Sequence, residues 1–209
     1  MLYPAFIKLQ GASCTVIGGG KVAARKVGML LECGARVKVI SPEVVEELDA
    51  WARADVIQWV ERGFAKGDTE GSFMVISATD DREVNAAVAR ECVARNILLN
   101  VVDQPEFCSF YVPSVIRRGP LTIAVSTGGK SPLLARKMRE KLEAAVPPAF
   151  GEFVEYLGAV REKVIAEHPE LKGELLELLV DREVLAFVEQ NDFDKAKELV
   201  DSVLNRYRS

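Results

Sequence analysis

The chain has 209 residues, of which 49% are hydrophobic and 28% are charged, and its formal net charge at pH 7 is −4. This length and apolar content predict a folded core rather than a disordered chain. The negative charge gives no support for general nucleic-acid binding, and no stretch reaches the roughly 18 apolar residues of a membrane span.

Short β-branched runs alternate with longer helix-like runs as far as residue 103. The predicted strands are CTVIG, RVKVI, VIQWV, FMVIS and ILLNVV, and the predicted helices are Lys21–Cys33, Pro42–Ala54 and Asp81–Arg95. The stretch RGFAKGDTEGS is too short and too rich in glycine for a full helix. Strands that alternate with helices pair in parallel, because each crossover needs a long connection. We therefore expect an α/β domain with a parallel sheet over residues 1–112.

The pattern changes after residue 103. Two apolar runs, SFYVPSVI and LTIAVST, are separated by RRGP, which predicts an antiparallel hairpin. Ser131 and Pro132 suit the N-cap and first turn of a helix that ends near Glu143. Apolar periodicity predicts further helices from about residue 149 onward. We therefore expect a hairpin and helix region over 113–146 and a small helical domain over 147–209.

The stretch VIGGGKVAARK joins the first predicted strand to the first predicted helix. Gly18, Gly20 and Ala23 form the pattern G-x-G-x-x-A, in which the glycines allow a tight turn and close approach of a pyrophosphate and the alanine allows helix packing. The helix N-terminus would offer amide hydrogens to the phosphates. This context predicts a Rossmann-type dinucleotide site, with a purely structural turn as the alternative.

The second predicted strand ends at Ser41, where such domains usually carry an acid that binds the ribose hydroxyls. Serine is able to bind a ribose hydroxyl, and Glu43 either contributes or serves the first turn of the next helix. Arg36 and Lys38 would suit a 2′-phosphate, but both precede the strand end and are expected on solvated positions. The sequence therefore favours NAD over NADP.

Two more stretches follow strands at the edge of the sheet where ligands gather. In SATDD, Thr79 or Asp80 is a candidate cofactor contact, although Asp80 equally suits the N-cap of the next helix. In NVVDQP, Asp103 is a candidate general base or cation ligand, with turn capping as the alternative.

The stretch VSTGGKSPLLARKMREK combines two glycines, Lys130 and a helix start, which predicts a loop that receives anions. Five basic and two acidic residues between Gly128 and Glu143 give a local charge of +3. Ala124 stands where a Walker A loop needs its first glycine. A capped helix with a solvated basic face and a pocket for a carboxylate-rich substrate both remain open.

The cysteines are far apart, and the single histidine is His168. This spacing predicts no metal site. Three of the four cysteines lie in apolar surroundings, which is typical of free thiols in a reducing compartment. We therefore expect a cytoplasmic protein with no membrane or nucleic-acid partner.

GGGKVAARK, SATDD, NVVDQPEFCSFYVPS and VSTGGKSPLLAR, in this order, closely resemble the precorrin-2 dehydrogenase and sirohydrochlorin ferrochelatase family over residues 1–145. The resemblance implies NAD-dependent oxidation of precorrin-2, a polycarboxylate tetrapyrrole, to sirohydrochlorin in an intertwined homodimer. It implies that NAD lies on Gly18–Ala23, with Lys21 and Val22 at the phosphates. The adenosine ribose would lie near Ser41, Pro42 and Glu43, and Asp103 would be the essential carboxylate. The residues implied for substrate binding are Ser126, Thr127, Gly128, Gly129, Lys130, Ser131 and Arg136.

Some members of that family also insert Fe²⁺ into sirohydrochlorin. This chain ends near residue 209, as the bacterial members that are dehydrogenases only do, so we expect a dehydrogenase and the chelatase activity stays open. The alternatives from other classes are a regulatory domain that binds NAD(H) without chemistry and a module that only dimerises.

Overall fold

The computed structural model describes residues 2–167, 169–170 and 172–206. The chain forms two compact units, Met1–Val112 and Pro113–Ser209. In the described part of the first unit, five parallel strands form one sheet in the order β3-β2-β1-β4-β5. The strands are β1 (Ser13–Ile17), β2 (Arg36–Ser41), β3 (Gln58–Glu61), β4 (Met74–Ser77) and β5 (Leu98–Val101), and the helices are α1 (Lys21–Glu32), α2 (Glu46–Arg53) and α3 (Arg82–Arg95).

Helices cover both faces of this sheet, which explains why β1 and β4 are buried along almost their whole length. On one face, α1 and α2 pack against β1 and β2 through a buried cluster that includes Val16, Val27 and Leu48. On the other face, α3 packs against the sheet through Val88 and Cys92. The predicted parallel α/β fold is confirmed, and the stretch RGFAKGDTEGS forms no helix, as expected.

The predicted start of the second helix at Pro42 is wrong, because α2 begins at Glu46. The amide of Val45 donates to the carbonyl of Gly19 at 2.9 Å, and the Ser41 hydroxyl donates to the carbonyl of Glu43 at 2.6 Å. Val45 has extended backbone angles. These bonds hold the segment after β2 against the glycine loop, so the helix starts only beyond it.

The second unit opens with an antiparallel hairpin of β6 (Ser114–Arg118) and β7 (Leu121–Val125). The hairpin is confirmed, but the predicted four-residue separator is wrong because Arg117 and Arg118 pair with Thr122 and Leu121 inside the ladder. Only Gly119 and Pro120 make the turn, and Gly119 has a φ of +52°. This positive φ favours glycine.

Helices make up the rest of the second unit, as predicted: α4 (Pro132–Glu143), α5 (Ala149–Glu167), α6 (Lys172–Leu178), α7 (Arg182–Glu189) and α8 (Phe193–Arg206). The last four share a core that includes Phe153, Val184 and Val200. The finer division at residues 146 and 147 stays a prediction. No helix within residues 2–167, 169–170 and 172–206 is long and apolar enough to cross a membrane.

Candidate active site

The first two glycines of the loop before α1 are required by the packing around them. Gly18 has a φ of +114°, and a Cβ there would lie 2.4 Å from the carbonyl oxygen of Ala78. A Cβ on Gly19 would lie 1.9 Å from the carbonyl oxygen of Glu43. The sequence pattern missed Gly19, because G-x-G-x-x-A leaves that position open, and the run of three glycines was the only signal. Both positions therefore exclude any side chain.

The third glycine lies at an open helix N-terminus. Gly20 is the N-cap of α1, and apart from its neighbours in the chain no atom of the described residues lies within 4 Å of a Cβ built on it. No described side chain caps the helix, and its first turn contains no acid. Ala23 is fully buried beneath this turn. The amides of Lys21 and Val22 thus belong to a helix start that is free to receive an anion.

The end of β2 is fixed by hydrogen bonds rather than open to a ligand. Ser41 is only 8% exposed, its hydroxyl donates to the Glu43 carbonyl, and the indole of Trp59 donates to its carbonyl at 2.9 Å. The Ser41 oxygen therefore keeps only acceptor capacity for a ribose hydroxyl. Pro42 and Glu43 are exposed.

The acids in the first turn of α2 are Glu46, Glu47 and Asp49. Glu43 lies before the N-cap Val45, outside that turn, and no described side chain caps the helix, so the alternative that Glu43 serves the turn is wrong. Glu43 is the one predicted ribose contact that presents an exposed carboxylate.

The two cations of β2 lie away from the strand end, as predicted. The Arg36 guanidinium donates to the Gly11 carbonyl at 3.0 Å, and the Lys38 ammonium donates to the Asp68 carbonyl at 2.9 Å. The expectation that Lys38 is solvated is wrong, because this side chain is half-buried and bound to that carbonyl.

At the end of β4, Asp81 rather than Asp80 caps the following helix. The Asp81 carboxylate accepts from the amides of Glu83 and Val84 at 2.9 and 3.1 Å, so the capping alternative for Asp80 is wrong. The Asp80 side chain is exposed, and the Thr79 hydroxyl accepts from the Asp81 amide at 3.3 Å.

Asn85 fixes the backbone at this strand end. Its side chain is fully buried, accepts from the Ser77 hydroxyl at 2.6 Å and donates to the Thr79 carbonyl at 3.0 Å. Sequence reasoning missed Asn85, because a polar residue in the first turn of a helix carries no signal of burial.

Asp103 lies on a tight turn after β5. Its φ is +59°, a left-handed conformation that aspartate tolerates better than most residues. The amide of Val102 donates to the Ser77 carbonyl at 2.9 Å, and the amide of Val101 donates to the Cys108 sulfur at 3.2 Å, so both sides of the turn are held. The exposed Asp103 carboxylate accepts no hydrogen bond from the described residues, and the turn-capping alternative is therefore wrong.

The charge of Lys26, a residue of α1, interacts with charges on the same segment. Burial and the neighbouring Arg25 lower the pKa of the half-buried Lys26, whereas the negative charges of Asp103 and Cys108 act in the opposite direction. Burial raises the pKa of the Cys108 thiol, and the charge of Lys26 opposes that rise.

In the second unit, the loop before α4 uses its own hydroxyls to satisfy backbone amides. Ser126 accepts from the Gly128 amide at 3.2 Å, Thr127 from the Ser131 amide at 3.0 Å and Ser131 from the Leu134 amide at 3.2 Å. A hydroxyl that accepts in this way still has its own hydrogen to donate. The anion-binding loop therefore stays a prediction, in which these three amides are already bonded and the hydroxyl groups remain as donors.

The basic face of α4 is partly neutralised by its own acids. Arg136 lies 3.7 Å and Lys137 3.3 Å from carboxylate oxygens of Glu140, and Arg139 pairs with Glu143. Lys130, beside the glycines of positive φ at 128 and 129, is exposed and forms no ion pair with the described residues. Lys130 is therefore the loop cation that is open to a partner.

All four cysteines lie among the described residues and are free thiols. Burial raises the pKa of Cys14 and Cys92 to about 11, which makes them packing residues rather than nucleophiles. Within the described ranges, no group of three or more histidine, cysteine, aspartate or glutamate side chains is arranged to hold a metal ion. His168 lies outside those ranges.

Two family models match the chain. Residues 5–114 match a family described as putative NAD(P)-binding, and residues 118–145 match the central domain of a sirohaem biosynthesis protein. The glycine loop, the end of β4 and Asp103 fall within the first match, and the loop before α4 falls within the second.

The chain is also similar to curated siroheme synthases and to a solved structure. A siroheme synthase of Thioalkalivibrio sulfidiphilus is 41% identical over 204 residues, which are 97% of this chain and 42% of that protein. A siroheme synthase of Methylobacillus flagellatus is 45% identical over 161 residues, which are 77% of this chain and 34% of that protein. The chain thus spans less than half the length of these curated relatives. A solved structure described as SirC, precorrin-2 dehydrogenase, has a TM-score of 0.81 and 25% identity, and the match covers 98% of this chain and 100% of that one.

Proposed function

The chain belongs to the putative NAD(P)-binding family that matches its residues 5–114, and we propose that it is an NAD-dependent precorrin-2 dehydrogenase of sirohaem biosynthesis. One observation carries the proposal: the open N-terminus of α1 and the unpaired Asp103 carboxylate both lie at the carboxyl edge of a single parallel sheet. Ligands of such sheets bind at that edge. The likeness to siroheme synthases and to a precorrin-2 dehydrogenase supports the choice of substrate.

The residues of the glycine loop fit a dinucleotide. The open space at Gly20 and the uncapped amides of α1 suit the pyrophosphate, with Lys21, Val22 and Ala23 in the first turn. Glu43 supplies the carboxylate for the adenosine ribose, and Thr79 and Asp80 stand at the neighbouring strand end. Bound NAD⁺ supplies the hydride acceptor of the reaction.

Asp103 accepts the proton that the substrate loses together with the hydride. Because its carboxylate makes no hydrogen bond to the described residues, no internal bond has to break before it takes the proton. The bonds on both sides of the turn fix the backbone that carries the carboxylate at the end of β5. A fixed backbone keeps the carboxylate within reach of a substrate bound at this edge, which proton transfer requires.

In the second unit, the loop 126–131 binds carboxylates of the tetrapyrrole. Lys130 contributes an unpaired charge, and the hydroxyls of Ser126, Thr127 and Ser131 contribute hydrogen-bond donors. Gly128 and Gly129 shape the loop, and Arg136 adds positive charge on the following helix.

The direct test is anaerobic incubation of the protein with precorrin-2 and NAD⁺. We expect NADH and sirohydrochlorin in equal amounts. If NAD⁺ binds but neither product forms, the chain is an NAD(H)-sensing domain and the proposal is wrong.

Asp103→Asn removes the charge and keeps a residue that adopts a left-handed conformation. We expect kcat to fall by about 100-fold or more, because a positioned proton acceptor contributes that much, with unchanged NAD⁺ affinity by calorimetry. Glu106→Gln, which neutralises an exposed carboxylate on the same segment, is the control and should retain wild-type turnover.

We further propose that the protein is a cytoplasmic homodimer. Leu133, Leu134 and Met138 expose 60%, 52% and 40% of their surface on α4, an apolar patch that suits a second copy of the chain. The four free thiols fit the reducing conditions of the cytoplasm. Sedimentation velocity should give a dimer that Leu134→Glu converts to a monomer, and a monomeric wild-type protein would contradict the assignment.

A further inference from the structure

Asn85, in the first turn of α3, belongs to a buried polar pair between that helix and β4. Asn85 and Ser77 are both 0% exposed. The same two elements contribute Val75, Val88 and Cys92 to an apolar cluster. Burial of a polar pair in such a place adds little stability, because two apolar side chains of the same shape would pack there equally well. We therefore expect the pair to serve something beyond stability.

The Asn85 side chain orients one peptide group at the ligand-binding edge of the sheet. Its amide nitrogen donates to the Thr79 carbonyl at 3.0 Å, and its oxygen accepts from the Ser77 hydroxyl at 2.6 Å. No peptide bond among the described residues is cis. In a trans peptide the carbonyl and the following N–H point in opposite directions. Because the Thr79 carbonyl is bonded to Asn85, the Asp80 N–H points away from that buried side chain.

The Asp80 N–H is an unused donor. It donates to no atom of the described residues, and Asp80 is exposed. The glycine loop lies against the same segment, because a Cβ on Gly18 would be 2.4 Å from the Ala78 carbonyl oxygen and 3.4 Å from the Thr79 nitrogen. The free N–H therefore belongs to a stretch of backbone that contacts the loop assigned to the pyrophosphate.

We propose that Asn85 is a positioning residue for the cofactor, which presents the Asp80 N–H as a hydrogen-bond donor to an oxygen of the bound dinucleotide. This inference rests on the proposed function, which supplies NAD⁺ as the ligand. The phosphates of a dinucleotide are strong acceptors, and its hydroxyl and carboxamide oxygens also accept hydrogen bonds. A donor that is fixed before binding loses little freedom when the ligand arrives.

The first test uses calorimetry and thermal unfolding on three variants of the full chain. Asn85→Leu removes both bonds of the side-chain amide and should weaken NAD⁺ binding by about tenfold. Ser77→Ala keeps the bond from Asn85 to Thr79, so its Kd should stay within about twofold of the wild type. The double variant Ser77→Ala/Asn85→Leu leaves neither side chain buried without a partner. It should regain most of the lost thermal stability but not the lost NAD⁺ affinity.

Val88→Ala is the matched control on the same helix. It opens a cavity in the apolar core and should lower the melting temperature, with an unchanged Kd for NAD⁺ below that temperature. If Asn85→Leu does not fold, the double variant decides in its place. A wild-type Kd in either variant that carries Asn85→Leu would overturn the inference, because the role of Asn85 would then be structural only.

A second measurement observes the Asp80 N–H directly and needs no turnover. Saturation of the wild type with NAD⁺ should move the Asp80 amide proton resonance downfield, as expected when an N–H gains an acceptor, and Asn85→Leu should lose most of this shift. An Asp80 resonance that NAD⁺ leaves unchanged in the wild type would overturn the inference. If the shift occurs but precorrin-2 yields no NADH, the proposed function is wrong and the role of Asn85 stands. If the wild type does not bind NAD⁺, both are wrong.

Discussion

The loop before α1 and the loop before α4 both contain glycines and both lead into a helix, but only the loop before α4 caps its helix with a side chain. The loop before α1 ends at Gly20, and no side chain in the described part of the chain caps the helix. The loop before α4 ends at Ser131, whose hydroxyl accepts from the Leu134 amide, while Thr127 accepts from the Ser131 amide. The first loop leaves amide donors for a ligand, whereas the second uses amides internally and presents Lys130. Glycine before a helix therefore predicts an anion site built from helix amides only where the cap is missing, and a capped loop needs a side chain such as Lys130 to bind an anion.

The largest effect should come from adding one methyl group to the first loop. Gly19→Ala places a Cβ 1.9 Å from the Glu43 carbonyl oxygen, so the backbone on one side must move. We expect the loss of about 1–3 kcal/mol of stability that overpacking costs, together with the loss of NAD⁺ binding. Thermal unfolding and calorimetry check both effects.

Gly20→Ala is the matched control within the same loop. Its Cβ enters open space and its φ of −80° suits alanine, so stability should change by less than about 0.5 kcal/mol. NAD⁺ binding should still weaken, because the methyl group occupies the space through which the pyrophosphate approaches. If Gly19→Ala and Gly20→Ala lower the stability equally, the space at Gly20 is not open, and the first loop does not differ from the second in the way described.

Two variants of the second loop should have smaller effects, and together they should distinguish the role of the Ser131 cap from the role of the Lys130 charge. Ser131→Ala removes the cap of α4 and should cost about 1 kcal/mol of stability. Lys130→Ala should leave the melting temperature unchanged and raise the KM for precorrin-2 by about tenfold, as expected for the loss of one charged contact. The reverse pattern would mean that the second loop binds through its amides, as the first one does.

The local pattern was sufficient for most of the fold. Alternation of apolar runs gave the parallel sheet, and Ser131 with Pro132 gave the start of α4 because capping depends on neighbouring residues. The predicted start of α2 was wrong because the amide of Val45 donates to the carbonyl of Gly19, a residue from another loop. The hairpin turn was predicted too long, because charged Arg118 belongs to the ladder and its guanidinium donates to the Val146 carbonyl at 2.9 Å.

At the candidate site, too, the sequence predicts the residues whose role depends on their neighbours in the chain and misses those whose role depends on distant groups. Gly18, Gly20, Ala23 and Asp103 stand in short patterns whose chemistry is local, so the sequence identifies them. Gly19 owes its importance to a group that the fold brings from elsewhere, the carbonyl of Glu43 after β2. One sequence carries no record of such distant neighbours.

The close approach of Gly19 to the segment after β2 has a consequence for the evolution of cofactor preference. In Rossmann domains an exchange near the end of the second strand shifts the choice between NAD and NADP. Here Ser41→Asp would break the hydroxyl's bond to the Glu43 carbonyl and crowd Gly19, whose Cβ position lies 2.7 Å from the Ser41 oxygen. Redesign of this protein toward another nicotinamide cofactor must therefore exchange both loops together, because the two loops pack against each other without room for a side chain at Gly19.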